Sequence, residues 1–337
     1  MTVSYRPPLL FRNGHIHSIY PSLFRKVEPC AFERERIITP DNDFLDLDWL
    51  RSGNPRLVIL SHGLEGHSRR PYIQGMAHAA GKQNWDVLAW NYRGCSGEPN
   101  NHIHAYHSGK TEDLEQVIRH AVHSGYQEIG LIGFSIGGNK TLLHIGREKD
   151  HLAKEVIAAV ALSVPCDLQS SSYHLAKWTH SLYMQNFLNS FKQKLKQKMT
   201  RFPDKINLSG FHKIRNFKQF DERYTAPMNG FASAEDYWFQ SSCLHYLEGI
   251  RIPALIINAL DDPFLPPECF PVEQAKMNSK LTLEMPRYGG HIGFMPGSRD
   301  SLFYSEQRAL SFLAGFSRYS EPSAEQVRSS QSGSPGR

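Results

Sequence analysis

The chain has 337 residues, 40% hydrophobic and 21% charged, a globular composition that excludes a disordered chain, a collagen-like fibre and a coiled-coil rod. At about 150 residues per domain, that length holds two domains or one large α/β unit. The net charge of +5 is mild for the length and excludes the dense basic surface of a nucleic-acid binder.

In chain order, Pro7, Pro8, Pro21 and Pro29 punctuate the first 30 residues, which predicts a segment wrapped over a surface rather than a long helix. Two strands follow, Glu33 to Ile38 and Phe44 to Trp49, separated by the turn-forming Pro40-Asp41-Asn42-Asp43. Leu57 to Leu60 and Val87 to Trp90 are apolar strands, with a helix over Tyr72 to Lys82 between them. Thr111 to Ser124 is an amphipathic helix, with Leu114, Val117, Ile118, Ala121 and Val122 on one face. It leads into a strand at Ile129 to Phe134, then Ser135, then a helix from Gly137 to Glu148. Val156 to Leu162, Ala254 to Ala259 and Leu281 to Met285 are further apolar strands, and Ser301 to Ala314 is the last helix. Continuous apolar strands alternating with helices predict an α/β fold, a mostly parallel sheet covered on both faces.

Residues 166–250 break this rhythm with helical patterning and many aromatics, and are expected to form a helical cap inserted into a core of residues 1–165 and 251–318. Residues 319–337, rich in Ser, Gly and Pro from Pro322 onward, are expected to be disordered. Five cysteines (Cys30, Cys95, Cys166, Cys243 and Cys269) are odd in number and make no C-x-x-C pair. A disulfide framework and a zinc ribbon are therefore not expected, and a reducing cytoplasmic setting fits. The N-terminus lacks the apolar core of a signal peptide, and the longest apolar run, Val156 to Val164, is about half a bilayer span.

Gly133-Phe134-Ser135-Ile136-Gly137 is a G-x-S-x-G motif between a strand and a helix, the context of a nucleophile elbow that lifts the Ser oxygen out of the sheet. A Ser hydroxyl is a weak nucleophile at neutral pH and needs a base with a group to orient it. In strand–elbow–helix hydrolases the acid and the His follow the Ser in the chain. Here Asp261-Asp262-Pro263 lies past the strand at 254–259, and Gly289-Gly290-His291 past the strand at 281–285. Both lie beyond C-terminal strand ends, where sites on open α/β sheets gather. Ser135, His291 and one of the two Asp residues form the candidate triad. The oxyanion of a tetrahedral intermediate needs two donors. The backbone N–H of Ile136 is one, and that of Leu64, in the loop His62-Gly63-Leu64-Glu65-Gly66, is the other.

Taken together these segments resemble the α/β-hydrolase superfamily, and within it the YheT-like branch that also includes mammalian membrane-anchored lipases. The resemblance also rests on Asn13-Gly14-His15-Ile16-His17, Asn91-Tyr92-Arg93-Gly94-Cys95-Ser96-Gly97-Glu98, Tyr106-His107-Ser108-Gly109 and Gly290-His291-Ile292-Gly293-Phe294. It spans roughly residues 5 to 315 and implies a carboxylic ester hydrolase with Ser135, Asp262 and His291 as its triad. Asp262 matches the family pattern of an acid three residues before an apolar residue and Pro, here Leu265-Pro266, although Asp261 lies beside it. The implied substrates are short- to medium-chain acyl esters or monoacylglycerol-like lipids, without cofactor or metal. An acyltransferase using the same triad and a non-catalytic binding protein on a hydrolase scaffold are the rival readings.

Other signals have plainer readings. Gly109-Lys110-Thr111 looks like the end of a P-loop, but position 104 is His where that motif needs Gly. His102, His104 and His107, like His15 and His17, are read as exposed loop histidines rather than metal ligands. The face Lys192, Lys194, Lys196 and Lys198 could touch anionic lipid, and is expected instead to be the solvated side of a packed helix. Transient membrane-surface contact, without stable insertion, is compatible with this reading. Arg93, Glu98 and Asn139 are expected to brace loops. Trp178, Tyr183, Phe187, Phe191, Tyr237 and Trp238 either line an acyl pocket or form the cap's own core.

Overall fold

Successive side chains of a strand point to opposite faces of its sheet, and here both faces of the central strands are apolar. Leu57 and Ile59 belong to one buried cluster, while Val58 and Leu60 belong to another. The computed structural model, which describes residues 5–296 and 302–319, places these clusters on either side of an eight-stranded sheet. The strands are β1 (Glu33–Ile38), β2 (Phe44–Leu50), β3 (Arg56–Ser61), β4 (Asp86–Asn91), β5 (Glu128–Phe134), β6 (Val156–Leu162), β7 (Ala254–Ile257) and β8 (Leu281–Glu284). Their order is β1-β2-β4-β3-β5-β6-β7-β8. Strand β2 runs antiparallel to β1 and β4, and all other pairs are parallel.

The helices of the core are α1 (Gly14–Phe24), α2 (Pro71–Gly81), α3 (Glu112–His123) and α4 (Ile136–Glu148). Between β6 and β7 lie α5 (Leu168–Leu175), α6 (Ser181–Arg201), α7 (Phe217–Phe220), α8 (Ala226–Asn229) and α9 (Ala234–Ser241), followed later by α10 (Val272–Met277) and α11 (Tyr304–Ala314). Leu114, Val117 and Ile118 of α3 join Leu142 and Leu143 of α4 in one cluster. Ile73 and Met76 of α2 join Leu310 and Leu313 of α11 in the other. The segment between β6 and β7 carries a third cluster of its own, including Met184, Leu188, Phe220 and Trp238.

The strands expected from the sequence are present with ends shifted by at most two residues. Residue 301, the expected start of the last helix, and nearly all of the expected disordered tail lie outside the described residues. Helix α1 was not foreseen. Its Pro21 sits in the last turn, and the Asn13 side chain caps its start by accepting the N–H groups of His15 and Ile16 at 3.0 and 3.1 Å.

The expectation of a solvated lysine face on α6 needs correction. Lys198 is buried and its ammonium donates to the carbonyls of His102, Ile103 and His104 at 2.7, 2.9 and 2.9 Å. Lys194 pairs with Glu65 at 2.9 Å and reaches the Cys95 thiol at 2.9 Å. The long apolar stems let these two cross the apolar surface and place their charged ends on loop carbonyls and a carboxylate. They tie α6 to the loops after β3 and β4.

Candidate active site

A side chain at residue 133 or 137 would have nowhere to go. A Cβ on Gly133 would lie 2.3 Å from the Gly137 carbonyl oxygen, and one on Gly137 would lie 2.2 Å from that of Ser61. Two bare backbones thus permit the sharp turn between β5 and α4, and Ser135 at its apex takes φ 53° and ψ −119°. Such a conformation is costly for a residue with a Cβ and persists where surrounding structure enforces it.

The turn brings Ser135 Oγ to 2.9 Å from His291 Nε2. On the other side of the ring, Nδ1 lies 2.9 and 3.1 Å from the two carboxylate oxygens of Asp262. Asp262 also accepts the N–H of Phe264 at 2.8 Å, and the Phe264 ring stacks on the imidazole with centroids 4.1 Å apart. The backbone N–H of His291 donates to Ser18 Oγ on α1 at 2.7 Å, and that of Ile292 donates to Ser163 Oγ at 2.9 Å. The His loop is therefore held from both sides.

Asp261 is turned away from the imidazole. One of its oxygens accepts the Gly290 N–H at 2.9 Å, while the other is buried without a partner among the described residues. Burial, opposed by the Gly290 N–H and reinforced by the neighbouring Asp262 charge, pushes its carboxyl up to about 6.

The loop after β3 is held residue by residue. Gly63 N–H donates to the Tyr72 hydroxyl at 2.9 Å and Glu65 N–H to the Tyr106 hydroxyl at 3.0 Å, and Tyr106 in turn donates to the Glu65 carboxylate at 2.6 Å. His62 accepts the Tyr92 N–H at Nε2, 3.2 Å away, so its Nδ1–H donates to the Gly63 carbonyl at 2.8 Å. Burial holds its pKa well below the ordinary value, and the ring stays neutral. Leu64 lies between the two tethered N–H groups and lines the cleft with Ser135, Ile136 and His291. Ile136 is the first residue of α4, where backbone N–H groups have no intrahelical partner and the helix dipole favours negative charge.

The cleft encloses about 630 Å³ including its mouth. Phe187, Phe191, Phe217, Tyr237 and Trp238 give it an aromatic wall. Trp178, by contrast, is 85% exposed, and Tyr183 packs edge-on against Phe264. A second chamber of about 810 Å³ adjoins the first, and Leu64, Ser108, Phe191, Asp221 and Tyr237 line both. Asp221 opens a π-helical turn, Asp221–Thr225, a geometry frequent at functional sites. Its carboxylate accepts from Trp238 Nε1 at 2.9 Å and from Thr225 Oγ1 at 2.5 Å, and burial pushes it up to about 7.

Sequence reasoning missed Ser18, Tyr72, Tyr106, Ser163, Phe264 and Asp221. Tyr106 and Phe264 sit inside or beside quoted motifs and were within reach; Ser18 and Ser163 act across 273 and 129 residues, and Tyr72 and Asp221 belong to no quoted motif. The expected braces hold loops as anticipated. Arg93 pairs with Asp41, Asp43 and Asp113 at 2.6, 3.1 and 2.7 Å. Glu98 meets Arg36 at 2.9 Å and Arg201 at 3.5 Å. Asn139 bonds the Ser241 carbonyl at 2.8 Å and the Cys243 N–H at 2.9 Å. Thr111 stands at the start of α3, the plain reading of Gly109-Lys110-Thr111. His102 and His104 contact the carbonyls of Asp41 and Met228 at 2.6 and 2.5 Å, whereas His15 and His17 lie on α1 rather than in an exposed loop, with His17 fully buried. No cluster of three or more metal-ligating side chains occurs among the described residues.

Residues 53–270 match the family described as serine aminopeptidase, S33. YheT of Escherichia coli (strain K12), a protein named for esterase activity, is 36% identical over 296 residues, covering 86% of both chains. Human phospholipase ABHD3 is 30% identical over 309 residues, covering 88% of this chain and 75% of its own. The Saccharomyces cerevisiae monoacylglycerol lipase is 29% identical over 278 residues, covering 80% and 60%. The fold matches the Pyrococcus furiosus esterase Pf2001 with a TM-score of 0.57 at 17% identity, over 85% of this chain and 91% of that one. With its elbow, its sheet order and these relatives, the chain belongs to the α/β-hydrolase superfamily, in its YheT-like branch of carboxylic ester hydrolases.

Proposed function

We propose that the protein cleaves carboxylic esters through a Ser135–His291–Asp262 triad and an acyl-enzyme intermediate. The observation that carries this reading is the unbroken hydrogen-bond chain from Asp262 through His291 to Ser135, with 2.9 Å at each link. His291 takes the Ser135 proton as Oγ attacks the ester carbonyl, and the N–H groups of Leu64 and Ile136 hold the oxyanion. The same imidazole returns the proton to the departing alcohol. It then draws a proton from water as that water attacks the acyl carbon, and passes it to Ser135 Oγ as the acid departs. Asp262 fixes the ring tautomer and stabilises the imidazolium formed in both halves.

The substrate we assign is a short- to medium-chain acyl ester or a monoacylglycerol-like lipid. The aromatic wall of the cleft suits an apolar acyl chain, and the name of the yeast relative points the same way. Residues 166–250 serve as a cap over this cleft. The five free thiols suit a cytoplasmic setting.

A fluorophosphonate probe tests the reading, because it labels only an activated Ser. Labelling of the wild type that disappears in Ser135→Ala is the expected result, followed by a peak on C4–C10 esters in a chain-length panel. Absence of labelling on folded protein refutes the mechanism. Preferred cleavage of amides refutes the substrate class, and transfer to an added alcohol in preference to water makes the protein an acyltransferase.

A further inference from the structure

A helix side that faces solvent is normally polar, and α1 departs from that rule. Its inner face, with His17, Ser18 and Pro21 buried, is bolted to the His291 loop: Ser18 Oγ accepts the His291 N–H at 2.7 Å, and His17 Nε2 accepts the Met295 N–H at 2.9 Å. Its outer face is apolar. Leu23 is 68% and Phe24 61% exposed, with Ile16, Ile19 and Tyr20 each near 40%. The turn before the helix adds Leu9 at 76% and Leu10 at 65%.

The patch continues onto the segment between β6 and β7. His15 Nδ1 lies 3.1 Å from the Tyr183 hydroxyl, and the two rings stack. Beside Tyr183, Leu182 is 79% exposed, and Trp178 heads the short 3-10 turn Trp178–His180 just before α6. The chain of contacts Tyr183–Phe264–His291 joins this corner to the catalytic ring. An apolar surface of this extent on one side of a soluble protein marks an interaction site.

Charge identifies the occupant. From Tyr5 to Val27 the chain carries Arg6, Arg12, Arg25 and Lys26 and no acidic residue, and from Leu168 to Pro203 it carries five lysines and Arg201, again with no acid. Several cations of these segments are already engaged: Arg25 pairs with Glu306, Lys194 with Glu65 and Arg201 with Glu98, and Lys198 is buried on loop carbonyls. Arg12, Lys26 and Lys177 are exposed around the patch. Large apolar side chains rimmed by cations are the signature of a helix lying in a lipid–water interface. A second copy docked patch to patch would bring these like charges together.

We propose that the outer face of α1 and the Trp178–Leu182 corner form a docking surface for an anionic lipid–water interface, which sets the mouth of the catalytic cleft against the membrane. The binding itself does not depend on the ester-hydrolase reading; only its purpose, delivery of a lipid ester, rests on that.

Trp178 is a built-in reporter. The other four tryptophans, Trp49, Trp85, Trp90 and Trp238, are at most 1% exposed. With vesicles of phosphatidylcholine and phosphatidylglycerol, the full-length protein should show a blue shift of its emission and quenching by brominated acyl chains. Both signals should weaken with salt and vanish in Trp178→Phe. The double variant Leu23→Ser/Phe24→Ser, like Leu182→Ser, should bind these vesicles at least tenfold more weakly yet hydrolyse a soluble p-nitrophenyl ester at the wild-type rate. Absence of a shift with anionic vesicles overturns the proposal, and so does equal binding to pure phosphatidylcholine. A lipid-independent shift that follows protein concentration, with dimers in sedimentation, assigns the patch to a second copy and also overturns it. Vesicle binding by a protein that hydrolyses no ester leaves the docking surface standing and removes the catalytic reading.

Discussion

Replacing Asp262 with Asn should cost about 10⁴-fold in kcat, and replacing Asp261 with Asn less than tenfold. In the proposed mechanism the imidazolium forms about 3 Å from the Asp262 carboxylate, as the 2.9 and 3.1 Å contacts require. Two unit charges about 3 Å apart interact by about 5.5 kcal/mol at an effective dielectric of about 20. A loss of about 10⁴-fold corresponds to about 5.5 kcal/mol of barrier, the size seen when a triad Asp becomes an amide that favours the wrong tautomer. Asp261 contributes differently. It accepts one backbone N–H, from Gly290, and an amide oxygen accepts that bond equally well. The assay is steady-state hydrolysis of a soluble p-nitrophenyl ester, with active sites counted by fluorophosphonate labelling and folding checked by circular dichroism. Equal losses in the two variants, or a loss under tenfold for Asp262→Asn, would refute the assignment of the acid.

Asp221 predicts a pH effect on stability. Its carboxyl is raised by burial from 3.8 to about 7, so between these values the folded state holds a proton that the unfolded chain releases. Stability therefore falls as pH rises from about 4 to 7. Asp221→Asn should remove that fall, gaining on the wild type by up to about 4 kcal/mol at pH 8 and by little at pH 4; urea melts at both pH values check it, and a gain independent of pH refutes it. Arg93→Met should destabilise by about 3–5 kcal/mol, because it leaves Asp43 and Asp113 buried without their cation. A shift in melting midpoint worth less than about 1 kcal/mol would show that water or another cation reaches them. Gly137→Ala should abolish the elbow, since its Cβ would overlap backbone at Ser61 and His62. Soluble variant protein that still labels with fluorophosphonate would contradict that. Tyr72→Phe frees the Gly63 N–H and should lower kcat about 10-fold with KM nearly unchanged, as expected for a loosened oxyanion loop; a change confined to KM would assign Tyr72 to substrate binding.

The strands and most core helices were legible in the sequence because their signals are local. Apolar runs such as Val156–Leu162 and the 3.6-residue spacing of Leu114, Val117, Ile118 and Ala121 are set by residues close in the chain. The elbow was legible for the same reason: Gly133 and Gly137 are close enough in sequence to Ser135 to read as one motif. The Asp and His candidates were legible because each lies just past the end of an apolar strand, in the chain order that an elbow serine requires.

What the tertiary structure alone decided depends on contacts across long separations or on side-chain direction. Adjacent residues point different ways, so Asp261 faces Gly290 while Asp262 faces the His291 ring; sequence proximity is blind to that. Ser18 meets the His291 N–H across 273 residues, and no periodicity reports such a bond. The same applies to Lys194 and Lys198, whose spacing reads as a solvated face until the loops they reach are in place. Helix α1 hid behind its own composition. Its exposed side is the apolar one, and hydrophobic patterning records only that a face is apolar, while the fold decides whether it meets the core or the outside.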